Sequence, residues 1–398
     1  MIPMAADTVT VLAGASHPEV SPWPVFDPRV LDFLSDLSAA LRASPLGGDA
    51  EAASFAFWCR RSRLEGLKTR YEGSLRLGRG LLFHVPPANV PLLFAYSLAV
   101  GMLAGCANLL RMSSRLEARG RAFCAVLDEV LSRPEHGALR ARTGLISYPR
   151  EEEARTAALL RSCDGRVIWG GDATVEAMRR FPARPGSVEL VFPDRWSLCL
   201  MSETHVSALS PAELELLAHR FYNDTYLMDQ NACSSPRLVL WKRDCPDGEA
   251  ARERFWAALC RKAGEAYKLT PYKVARKYEA LCELAMTEPA LGPVRRAGNL
   301  LYRAPLTAPP ADPDALRLAF GSFLEYEITS LEELAPFVTC RTQTLTCAGV
   351  DPAEAARAAA ALGLPGIDRV VPVGQAMEFD LIWDGKDLIS ALSRVISC

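Results

Sequence analysis

Histidine is scarce, with five in 398 residues, and the cysteines form no Cys-x-x-Cys pair. That leaves no ligand set at the spacing of a finger-type zinc site. Neither sign of charge is in excess, since 45 Lys plus Arg stand against 47 Asp plus Glu. A near-neutral balance supplies no long-range field for nucleic acid or an anionic membrane, so any phosphate recognition must be local. There is no internal repeat. The start, Met1-Ile2-Pro3-Met4-Ala5-Ala6-Asp7, lacks the basic residues and apolar run of a secretory signal. Twelve scattered cysteines then read as reduced thiols, and the expected location is cytoplasmic. The uncharged run Leu92–Leu110 is not a clean bilayer span: Pro91 opens it, and Tyr96, Ser97, Gly101, Gly105 and Asn108 interrupt it. A buried helix passing into a buried strand accounts for it better, and no membrane span is expected.

What the chain does have is a hydrophobic content of 49%, enough for two packed cores. Pro28–Arg42 and Ala50–Leu67 show helical spacing of apolar residues. Strand candidates then alternate with helices: Gly80–Val85, helix Val90–Ala104, Asn108–Met112, helix Leu116–Leu131, Leu145–Tyr148, helix Glu151–Arg161 and Arg166–Trp169. That alternation predicts an α/β fold with a parallel, doubly wound sheet. The pattern restarts near Glu203, after strands Ser187–Phe192 and Ser197–Met201. A division into residues 1–202, 203–368 and a closing segment 369–398 follows.

Three segments could carry chemistry. In Asn223-Asp224-Thr225-Tyr226-Leu227-Met228-Asp229-Gln230-Asn231-Ala232-Cys233-Ser234-Ser235-Pro236-Arg237, one cysteine sits among small polar residues. Such a loop exposes a thiolate to substrate, and sulfur exchanges readily with a thioester; the same residue also suits a small packed position. In Phe83-His84-Val85-Pro86-Pro87-Ala88-Asn89-Val90-Pro91, prolines stiffen a strand-to-helix turn. Asn89 there could donate to an oxyanion or simply cap the helix. In Val167-Ile168-Trp169-Gly170-Gly171-Asp172-Ala173-Thr174, a strand, two glycines and a helix start could approach a pyrophosphate. A Gly-Gly turn without the Gly-x-Gly-x-x-Gly fingerprint is equally well only a turn.

Taken in order, these segments resemble the LuxC acyl-CoA reductase family of bacterial bioluminescence, within the aldehyde dehydrogenase superfamily. Asn108–Ser114 and the stretch from Gly366-Ile367-Asp368-Arg369 through Trp383-Asp384-Gly385 to Arg394 carry the match further. The resemblance implies an aldehyde dehydrogenase-like fold of two Rossmann-like domains with the active site between them. Residues 1–202 would then hold the NADP-binding domain and 203–368 the catalytic domain, while 369–398 would return to the cofactor domain or form an oligomer interface. It implies Cys233 as nucleophile and Asn89 as oxyanion donor. Arg111, Ser113, Ser114 and Arg115 occupy the place of the superfamily's ribose-binding lysine, and small hydroxyls among guanidinium groups suit a 2′-phosphate, hence NADPH. Gly170, Gly171 and Asp172 complete the expected cofactor set.

Glu189 falls where the superfamily carries its general base, although Val191-Phe192-Pro193 replaces the usual glycine pair. Gln343 is the nearest polar candidate for holding the nicotinamide ribose. His84 could donate a proton or be packed at a strand end. No metal is expected. The implied reaction reduces a fatty-acyl thioester, presented by CoA or a carrier protein, to an aldehyde through an acyl-cysteine. Rival readings are NAD(P)-dependent aldehyde oxidation or CoA acylation, and a silent subunit of an acyl-activating complex. The family also implies an acyl-protein synthetase or acyl-transferase partner, and its superfamily commonly forms homo-oligomers.

Overall fold

The computed structural model describes residues 9–87, 92–114 and 116–397. The chain divides into two compact units: residues 1–193 with 379–398, and residues 194–378.

The first unit is built on a six-stranded sheet. Its strands are β1 (Thr10–Gly14), β2 (Leu81–Val85), β3 (Ala107–Met112), β4 (Thr143–Ser147), β5 (Gly165–Trp169) and β6 (Val188–Phe192), in the spatial order β1-β4-β3-β2-β5-β6. All neighbours run parallel except β1, which pairs antiparallel with β4. Every residue of β2 is buried, as expected of a central parallel strand covered on both faces. The chain leaves β2 toward β3 and β4, then returns to β5 on the other side of β2. The β2–β5 boundary is therefore a topological switch point, and a crevice forms outside the carboxyl ends of such strands. The uncharged run resolves into helix Leu93–Leu103 and strand β3, both almost wholly buried. Among the described residues, no helix is long and apolar enough to cross a membrane.

The single helix expected over Ala50–Leu67 is two, Ala50–Trp58 and Arg61–Lys68. Arg60 between them is extended (φ −63°, ψ 139°), so the backbone turns while each piece keeps its own apolar stripe inward.

The second unit has a seven-stranded sheet made of β7 (Trp196–Ser202), β8 (Pro236–Lys242), β9 (Arg295–Ala297), β10 (Leu301–Pro305), β11 (Ser322–Ile328), β12 (Thr342–Ala348) and β13 (Arg369–Pro372). The spatial order is β9-β10-β11-β8-β7-β12-β13. Only β9 is antiparallel to its neighbour. Because β7 belongs to this sheet, the chain passes from one unit to the other at Pro193–Asp194, earlier than the 202/203 division read from the sequence. Residues 369–372 likewise form an edge strand of this sheet, and the return to the first unit begins at Phe379 rather than Arg369.

Two departures from regular pairing flank Ser197. Between β7 and β8 the register runs from Ser197↔Pro236 to Leu198↔Leu238, leaving Arg237 as an extra residue. Between β7 and β12 it runs from Thr342↔Trp196 to Leu345↔Leu198, so β12 also carries an extra residue across Gln343–Thr344. Bulges re-aim side chains and are over-represented beside active sites.

Candidate active site

The nucleophile candidate is delivered by the helix Pro211–Thr225. Its start is fixed by a capping box between Ser210 and Glu213 and by Pro211 in the first turn. A short 3₁₀ turn, Tyr226–Met228, follows. Asp229 and Gln230 then both take left-handed backbone conformations, at φ 54° and 59°. Two consecutive non-glycine residues there cost roughly 1 kcal/mol or more each, and only outside contacts keep them so.

Those contacts are specific. Asp229 Oδ1 accepts hydrogen bonds from Tyr267 Oη and Lys273 Nζ, each at 2.7 Å. Gln230 is fully buried. Its Nε2 donates to the carbonyls of Pro236 and Ser322, both at 2.9 Å. Its Oε1 accepts from the amides of Gly321 and Ser322 at 3.0 and 3.2 Å. One side chain thus ties the loop to the amino ends of β8 and β11.

Beyond this double turn, Ser235 Oγ donates to Asp224 O at 2.8 Å, and Ser197 Oγ donates to Cys233 O at 2.7 Å. The Ser197 hydroxyl also accepts the Thr344 amide at 3.1 Å, so the N–H displaced by the β12 bulge is satisfied by the group that holds the cysteine. Cys233 is half-buried. Its sulfur accepts a hydrogen bond from Gln343 Nε2 at 3.2 Å. This site stands at the amino ends of β7, β8 and β12, opposite to the carboxyl-end position usual for ligands in open α/β sheets.

Most other thiols are disposed differently. Burial pushes Cys106 up to about 11 and Cys124, Cys163 and Cys347 up to about 12, and drives Cys59 and Cys199 well above the ordinary range. Those groups stay protonated and packed.

Asp224, one helical residue before the turn, accepts the amides of Gly374 at 2.6 Å and Ala376 at 3.0 Å. Burial outweighs both bonds and raises its carboxyl to about 7.

The expected cofactor residues lie in the first unit. Arg111 ends in β3 with its guanidinium 4.7 Å over the Tyr148 ring, and Ser113 and Ser114 follow directly. Gly170 and Gly171 follow β5, with Gly171 capping the helix Asp172–Arg179. Both groups therefore stand at the carboxyl edge, on either side of β2 and next to the switch point. A Cβ on Gly170 would come within 3.0 Å of the Thr174 side chain, so close helix packing favours glycine here whatever the turn binds. Asn89 and Arg115 lie outside the described residues.

Two of the expected residues have partners within the chain. Glu189, on edge strand β6, is paired with Arg166 at 2.6 Å and Arg179 at 2.7 Å. Gln343, expected near a nicotinamide ribose, instead donates to the Cys233 sulfur.

His84 is fully buried. Its Nδ1 meets Ser97 Oγ at 2.8 Å and its Nε2 meets Asn108 Oδ1 at 3.0 Å. Burial lowers its pKa to about 4, so it is a neutral, packed residue. The Ser97 hydroxyl also accepts the Trp169 indole N–H at 2.9 Å. Gly101 makes room for this network, since a Cβ there would lie 1.9 Å from Asn108 Oδ1.

Signals for Cys233 and the glycine turn were local. Gln343 was not found as the partner of Cys233, because nothing in its neighbours announces a bulge.

This two-sheet, largely parallel arrangement is the fold of solved aldehyde dehydrogenases. The 1-pyrroline-5-carboxylate dehydrogenase from Thermus with bound NAD is 12% identical with a TM-score of 0.64, covering 94% of this chain and 81% of its own. Aldehyde dehydrogenase 21 from Physcomitrella patens is 13% identical at 0.62, over 92% and 83%. A putative aldehyde dehydrogenase from Burkholderia cenocepacia is 17% identical at 0.60, over 94% and 84%. Within that class, the family model described as acyl-CoA reductase (LuxC) matches residues 60–284, and the chain belongs to that family of oxidoreductases. Among curated proteins, no sequence matches.

Proposed function

We propose that this protein reduces a fatty-acyl thioester to the aldehyde with NADPH, through an acyl group carried on Cys233. The observation that carries the reading is the half-buried Cys233 sulfur with an amide donor, on a loop pinned at Asp229, Gln230 and Ser197. Precise holding of a nucleophile is what converts a weak thiol attack into a fast one.

In this mechanism the Cys233 thiolate attacks the acyl carbonyl carbon. A new S–C bond forms, the carbonyl pair moves to oxygen, and its return expels the CoA or carrier thiolate. Asn89 is the proposed donor to that oxyanion. A bound nicotinamide supplies the hydride that the acyl carbon must gain. Cys233 then leaves with the S–C electron pair as the carbonyl re-forms, releasing aldehyde and free thiolate. The net change consumes one proton and yields the free thiol of the carrier.

The residues at the carboxyl edge of the first sheet suit a dinucleotide. Arg111, Ser113 and Ser114 would hold a 2′-phosphate, and the turn at Gly170–Gly171 would meet the pyrophosphate with its amides. Aldehyde oxidation to an acid is less favoured, because Glu189 is occupied by Arg166 and Arg179.

The test is an acyl-thioester panel of varied chain length, with NADPH consumption and aldehyde trapping. Wild-type protein is expected to form acyl-Cys233 from acyl-CoA without NADPH, detected by intact mass and peptide mapping. Cys233→Ala is expected to lose both acylation and turnover. Full reductase activity in Cys233→Ala would remove the thiol from the mechanism.

A further inference from the structure

The β12 bulge brings to the cysteine a side chain that local sequence does not pair with it, and the β8 bulge re-aims a second, Arg237. Gln343, from the β12 bulge, is buried and donates Nε2–H to Cys233 Sγ at 3.2 Å. Arg237, the extra residue of the β8 bulge, carries a buried Nε with no hydrogen-bond partner among the described residues, and Cys233 is one of the groups whose charge bears on it. A half-buried guanidinium is normally paired with a carboxylate. Between the two bulges stands Ser197, whose hydroxyl fixes Cys233 O and Thr344 N together. The charged groups that bear on Arg237 are exposed Arg317, Asp194 and Cys233 itself, while Asp224 lies behind the loop through Ser235.

We propose that Gln343 and Arg237 hold Cys233 as a thiolate, Gln343 as a catalytic residue bonded to the reacting sulfur and Arg237 as the compensating positive charge. The inference rests on the reading of Cys233 as nucleophile. Both groups stabilise negative charge on sulfur, and a neutral acyl-sulfur attracts them less. They therefore favour the thiolate that attacks. They also favour the final step, in which the S–C bond breaks and the electron pair returns to Sγ. Burial and the neighbouring Arg317 lower the Arg237 guanidinium to about 10, which still leaves it charged near neutral pH.

The experiment follows alkylation of Cys233 by iodoacetamide across pH 5.5 to 9.5, resolved by peptide mass spectrometry. Exposed Cys340 in the same unit serves as internal reference. The wild-type midpoint is expected at least about one unit below the ordinary thiol value of about 8.5. Arg237→Met should raise it by about one unit, a tenfold loss of thiolate at neutral pH. Arg237→Lys should restore most of it, and Gln343→Leu should raise it by a smaller step. The Cys340 profile should stay fixed throughout. A wild-type midpoint at the ordinary value overturns the proposal, as does an unmoved midpoint in Arg237→Met and Gln343→Leu; if Arg237→Met does not fold, Gln343→Leu and Arg237→Lys decide. A low midpoint without acylation by acyl-CoA supports this proposal and removes the reductase reading; acylation with an ordinary midpoint does the reverse.

Discussion

Gln230 offers the sharpest test of how the Cys233 loop is held. Truncation to Ala removes the acceptor for the Gly321 and Ser322 amides and the donor for the Pro236 and Ser322 carbonyls. At about 1 kcal/mol net per hydrogen bond, the second unit should lose about 4 kcal/mol, a large share of an ordinary domain's stability of about 5–15 kcal/mol. Gln230→Gly should lose about 1 kcal/mol less than Gln230→Ala, because glycine accepts a φ of 59° without the Cβ penalty. The assay is urea unfolding together with hydrogen exchange on a peptide covering Gly321 and Ser322. In Gln230→Ala those two amides should lose their protection before the rest of β11 does. A loss below about 1 kcal/mol with protection retained would refute the reasoning, since such bonds could not then be what anchors the loop.

Other consequences concern the first unit. His84 has a folded pKa of about 4 against 6.5 unperturbed, so the fold binds fewer protons than the unfolded chain between those values. The contribution is fully present above pH 6.5 and is lost as pH falls toward 4, amounting to about 3 kcal/mol. Denaturant titrations at pH 7.5, 5.5 and 4.5 should show that slope in wild type and a flatter one in His84→Gln. Glu189→Gln should cost the first unit about 1 kcal/mol, the scale of partly exposed ion pairs, and leave the rate of Cys233 acylation within twofold in single-turnover mass spectrometry. A loss of acylation in Glu189→Gln would return that residue to the chemistry.

Much of the architecture was legible because its signals are local. The apolar spacing over Pro28–Arg42 marks the helix Pro28–Ala43, and Gly170–Gly171 marks the turn after β5. Runs such as Leu81–Val85 are apolar on both faces, as buried parallel strands must be. Strand β12 escaped detection because Thr-Gln-Thr-Leu-Thr-Cys-Ala has no apolar run, although every residue of it is buried. Its polar groups are admissible only because partners such as Ser197 satisfy them. Helix Pro271–Thr287 was also missed; of its residues only Lys277 and Leu284 are buried.

The sequence by itself determined the class of fold and the family and marked Cys233 as the candidate, since alternation, turn chemistry and the Asn-Ala-Cys-Ser-Ser-Pro loop are written within a few residues of one another. Tertiary structure alone decided what surrounds that cysteine. Gln343 is 110 positions away and meets the sulfur only through the register of β7, β8 and β12. A one-residue slip in pairing changes which side chain faces where, and local sequence does not encode that choice.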